Sequence, residues 1–224
     1  MTDYLAHLRS DVDAVLAVLA TAELTEPVVA CPGWTLRDLV EHLGGVHRWA
    51  TQIVRTREPQ PEVEQAVTDL APWFAEGAQA LIETLTAADP SDPCWSFTRD
   101  RRVGFWHRRQ ALETVVHRWD AQRAIGEPDP IDPSLAADGV AEVVQLMTPR
   151  QIALERIPPL PVTVLLHATD TGDDWMLGDG RPSAGVEASA ETLLLLLWHR
   201  IDPGDPRVRT TGDAEQVLRL GLAP

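Results

Sequence analysis

Apolar residues recur at helical spacing from early in the chain. Leu5, Leu8, Val12, Val15, Leu16 and Leu19 fall on one face of a segment spanning 2–22. A second helix is predicted from Thr35 to about Arg57. Thr35 is its cap, Asp38 sits in the first turn, and Leu36, Leu39, Val40 and Leu43 form its apolar side. The stretch EPQPEVEQ (58–65) then reads as a proline-broken acidic loop, and a third helix begins at Ala71. DPSDPCWSFTRDRRVG is irregular and turn-rich. A fourth helix covers roughly Trp106 to Ile125 and stops at GEPDPIDP, and SLAADGVAEVVQLM gives a fifth. Four or five antiparallel helices joined by polar loops predict a helix bundle.

The pattern changes after RIPPLP, residues 156–161. VTVLLHATD is rich in β-formers, DDWMLGDGR reads as a short strand entering a turn, and GVEASAETLLLLLWHR passes from strand into a buried helix. GDAEQVLRL closes the chain as a last short helix. The pattern therefore predicts a bundle over 1–155 and a small α/β domain over 160–224.

Composition and charge then refine this picture. The 44% hydrophobic content is that of an ordinary globular chain. Carboxylates outnumber cations 34 to 19, which argues against a nucleic-acid partner. The apolar run Leu193 to Trp198 is far too short to span a bilayer, and the first residues are amphipathic and acidic rather than signal-like. A cytoplasmic protein is expected. All 19 basic residues are arginine, and lysine and asparagine are absent, a bias expected of a GC-rich bacterial genome. The two cysteines, Cys31 and Cys94, form neither a disulfide framework nor a zinc knuckle. Neither lies in an activating motif, so both read as structural thiols.

The candidate chemistry lies in the fourth helix. Glu113 and His117 stand four residues apart on one ridge, with Asp120 three further along and Leu112, Val115, Val116 and Trp119 beside them. A carboxylate and an imidazole so placed form half of a metal site. One more imidazole from a facing helix would complete a catalytic zinc set of two histidines and a glutamate. His42 is the candidate, although periodicity places His47 nearer the apolar stripe and does not choose between them. The same spacing also fits a solvated ion pair. Asp120 reads as an exposed acid or as support to a ligand. Trp34, Trp49, Trp106 and Trp119 fall in or beside these helices; Trp34 and Trp119 read as packing, and one or two of the four as pocket walls. At the end of LLLLLWHR, Arg200 either caps carbonyls, pairs with Asp202 or Asp205, or holds a carboxylate of a ligand.

W-T-x-R-D-L-V-x-H-L (Trp34 to Leu43) followed by E-x-x-x-H-R-W-D (Glu113 to Asp120) resembles the mycothiol-dependent maleylpyruvate isomerase family. The segment HATDTGDDWML…GVEASAETLLLLLWHR is similar to that family's second domain. The resemblance implies a DinB-like metal-binding four-helix bundle followed by a small α+β domain of sterol-carrier-protein type. It implies a divalent metal, usually zinc, at His42, Glu113 and His117, with mycothiol as thiol cosubstrate, and it fits an actinobacterial source. The family also carries an arginine at the position of Arg200, preceded by smaller residues than Trp198 and His199. The expected activity is isomerisation of, or thiol transfer to, a small electrophilic substrate. Two other readings stay open. One is a metal-water hydrolase or amidase acting on thiol conjugates, with Asp120 or Glu41 as base. The other is a metal- or small-molecule-binding protein without turnover.

Overall fold

A computed structural model describes residues 2–61 and 67–224. The last part of the predicted acidic loop, Glu62 to Gln65, lies outside the described residues. The chain divides into two compact units, 1–129 and 130–224.

The first unit is a four-helix bundle of α1 (Tyr4–Leu19), α2 (Leu36–Thr56), α3 (Leu70–Ala87) and α4 (Val103–Ile125). Each of α1 and α2 packs against both α3 and α4. Local chemistry sets the ends of the helices that matter most. Thr35 and Asp38 form a reciprocal capping box at the start of α2: the Thr35 side chain accepts from the Asp38 N–H, and Asp38 accepts from the Thr35 N–H. Asp3 caps α1 through the Ala6 N–H. Helices α2 and α3 meet through two glycines. The ring of Trp73 lies against Gly44 and the guanidinium of Arg48 against Gly77, while Arg48 stacks over Trp73 at 3.9 Å. Helix α4 is buried almost continuously from Phe105 to Ala121.

The second unit contains α5 (Pro133–Glu142), a π-helical segment (Val143–Met147), α6 (Thr148–Ala153), β1 (Val164–Ala168), β2 (Asp174–Leu177), β3 (Ala184–Ala188), α7 (Ala190–Leu197), β4 (Arg209–Thr211) and α8 (Ala214–Leu218). Its sheet has the order β2-β1-β3-β4. Strands β1 and β3 are parallel, and β2 and β4 flank them antiparallel. The π-helical widening falls immediately before Pro149, whose ring and missing N–H disrupt a regular α-turn.

Two expectations change here. The boundary falls between Asp129 and Pro130, not at 155–160, because the fifth helix belongs to the second unit. Leu135, Ala136 and Val140 of α5 are buried, and α5 packs on α7, whose leucine run is buried throughout. A fourth strand, the three-residue β4, pairs with β3 where no strand is predicted. It is short, polar and at the sheet edge, so it carries no hydrophobic alternation. The fold class stands as expected, a helix bundle followed by a small α+β unit.

Candidate metal centre

The capping box fixes where α2 begins, and His42 follows on its second turn; Glu113 and His117 project from consecutive turns of α4. These three side chains converge. Their ligand atoms all lie within 4.8 Å of one another. Glu113 Oε1 stands 3.4 Å from His42 Nε2 and 3.3 Å from His117 Nε2. Tetrahedral coordination with bonds of about 2.0–2.1 Å has ligand–ligand edges of about 3.3–3.4 Å, so these two edges suit a metal of zinc's size. The imidazole rings meet edge-on, with centroids 5.3 Å apart. Glu113 and His117 are buried, whereas the His42 side chain is 39% exposed, so the cluster is open on the α2 side.

The surrounding groups hold these ligands in place. Asp120 Oδ2 lies 3.0 Å from His117 Nδ1, so the carboxylate accepts from that nitrogen and leaves Nε2 directed at the cluster. Asp120 is buried, which excludes the exposed-acid reading. Arg109, one turn before Glu113 and also buried, donates through Nη2 to Glu113 Oε2. Sequence reasoning missed Arg109; the signal was an arginine four residues before a candidate ligand. The indole of Trp34 lies 5.1 Å from the His42 ring. Trp34, read first as packing, thus stands beside the cluster. Trp49 and Trp106 instead join Trp95, Phe97 and Phe105 in an aromatic cluster, with Trp106 donating to the Trp95 carbonyl at 2.7 Å.

His47 takes the core role. It is fully buried, its Nε2 is 2.9 Å from Thr114 Oγ1, and burial pulls its pKa down from 6.5 to about 3, so it is neutral. Cys94 is buried with its thiol pKa pushed up by burial, and Cys31 is half-buried. Glu41 pairs with Arg37 at 2.8 Å along the helix.

Arg200 follows α7 in the second unit. His199 adopts φ 58°, and the Arg200 N–H donates to Leu195 O at 2.7 Å while the His199 N–H donates to Leu196 O, a left-handed helix ending of Schellman type. The Arg200 guanidinium donates to the Trp198 carbonyl at 2.7 Å. Among the described residues, no helix is long and apolar enough to cross a membrane.

Comparison with known proteins agrees with this architecture. Residues 5–122 match the family model described as the mycothiol maleylpyruvate isomerase N-terminal domain, and residues 134–219 match that of the C-terminal domain of the same family. Two proteins of Mycobacterium tuberculosis, from strains CDC 1551 and H37Rv and both named as uncharacterized, are 27% identical over 163 residues, 67% of this chain and 82% of theirs. A crystal structure of the mycothiol-dependent maleylpyruvate isomerase superposes with a TM-score of 0.66 at 13% identity. That of its histidine-to-alanine mutant does so with a TM-score of 0.72 at 12% identity. Each covers 93% of this chain and 92% of its own, and at such identities the likeness establishes the fold. With both family models matched, the chain belongs to the mycothiol-dependent maleylpyruvate isomerase family.

Proposed function

We propose that the protein is a metal- and mycothiol-dependent enzyme that isomerises a small electrophilic substrate or conjugates it to the thiol. The observation that carries this reading is the convergence of His42, Glu113 and His117 in a chain of this family. These residues would hold one divalent ion, zinc by preference for two imidazoles and one carboxylate. When bound, the metal supplies Lewis acidity, favouring thiolate over thiol near neutral pH.

The chain's own groups prepare the site for an anion. With both imidazoles neutral, Glu113 and Asp120 bring two negative charges and Arg109 one positive. A divalent ion among these five side chains would keep one unit of positive charge, which favours an incoming thiolate. Asp120 orients His117, and the Trp34 ring lies against that of His42. Arg200 is assigned to a carboxylate of substrate or thiol, a contact that a guanidinium makes in two parallel bonds. The hydrolase reading needs a further base, and the two acids considered for that role are engaged: Asp120 with His117, and Glu41 with Arg37.

The test is turnover of the metal-loaded protein on a panel of electrophiles, maleylpyruvate included, with and without mycothiol. Thiol-dependent loss of substrate is expected. Thiol-independent hydrolysis, or saturable binding without turnover, contradicts the reading. In the same assay Arg200→Lys should lower turnover about tenfold or more with metal content and melting temperature unchanged, as expected for a lost charge-assisted contact of roughly 1.5–3 kcal/mol. Unchanged turnover removes Arg200 from the site.

A further inference from the structure

The two oxygens of Glu113 have different neighbours. Oε1 faces both candidate ligand nitrogens, at 3.4 and 3.3 Å, while Oε2 receives the Nη2 of Arg109. Both side chains are buried, at 7% exposure for Arg109 and 6% for Glu113. A buried carboxylate left without a partner is costly, and a cation one helical turn away satisfies it without occupying the oxygen on the cluster side.

We infer that Arg109 is a positioning residue that restricts Glu113 to one-oxygen coordination. The inference deepens the metal reading above and rests on it. A carboxylate free to rotate can present both oxygens to one ion and fill an additional coordination position. With Oε2 held by the guanidinium, Glu113 offers only Oε1, and the three side chains supply three ligand atoms. The position that a second carboxylate oxygen would fill stays available to a thiolate or substrate oxygen. Arg109 also offsets the charge of Glu113, so the bound ion keeps more of its attraction for an anion.

The test replaces the metal by cobalt(II), whose visible absorption weakens markedly when coordination number rises above four. The wild-type protein and the Arg109→Met and Arg109→Lys variants are loaded with one equivalent, their helical content being checked by circular dichroism. The inference expects intense bands in wild type, a loss of intensity of at least twofold in Arg109→Met, and retention of the wild-type spectrum in Arg109→Lys, which keeps a cationic donor. Should the methionine variant not fold, Arg109→Leu, which also lacks any donor, is read in the same way. An Arg109→Met spectrum identical to wild type overturns the clamp and leaves the metal site standing. Failure of the wild-type protein to take up cobalt overturns both.

Discussion

At the scale of single residues, two histidines of α2 show how neighbours decide chemistry. His42 is partly exposed and faces Glu113 and His117, whereas His47 is sealed in the core against Thr114 and Phe74. The sequence offered both, and helical periodicity favours His47 for burial without saying which imidazole meets α4. That choice depends on how α2 is rotated against α4, a tertiary property. The Glu113–His117 pair was legible because both partners lie on one ridge, as was the Asp120 support. The partnership of Trp34 with His42 was not, since it depends on how the loop before α2 folds back.

Burial of His47 has a pH consequence. Its pKa is about 3 in the folded chain against 6.5 in an open one, so between these values the unfolded chain binds a proton that the folded chain does not. Stability then rises with pH: the contribution is full above about 6.5 and is lost as pH falls toward 3, at about 1.4 kcal/mol per unit. Denaturant unfolding of the metal-free protein at several pH values should show this slope, and His47→Gln should flatten it. A slope unchanged by His47→Gln would mean that the imidazole is not neutral in the core.

Among the elements, helix starts and faces were well marked, because caps and apolar stripes are local. Thr35 caps α2 as predicted and Asp38 closes a reciprocal box with it, and the leucine-rich α7 is buried as its composition requires. Domain membership was not local. The fifth helix reads as a bundle helix by periodicity, and only its packing on α7 assigns it to the second unit. Adjacent glycines of α2 test the helix packing that positions His42. A methyl group at Gly44 would come within 2.2 Å of the Trp73 ring, whereas at Gly45 it would meet nothing within 4 Å. Gly45→Ala should therefore stabilise the protein by up to about 1 kcal/mol through helix propensity. Gly44→Ala should destabilise it by about 1–3 kcal/mol through overpacking. Equal shifts in melting temperature for the two variants would contradict the described α2–α3 contact.

For the whole molecule, the acidic balance, the helix bundle and the α+β unit were all readable from pattern, and family membership now rests on matches to both halves of the chain. The bundle gathers two imidazoles and a carboxylate from two helices separated by about seventy residues of sequence, and it backs them with Asp120, Arg109 and Trp34. The central claim is that this cluster is a metal centre. Metal analysis of the purified wild-type protein and of the His42→Ala, Glu113→Ala, His117→Ala and His47→Ala variants tests it most directly. The account predicts one divalent ion per chain in wild type and in His47→Ala, and loss of most of the metal in each of the other three. Full occupancy in His42→Ala and His117→Ala would contradict it.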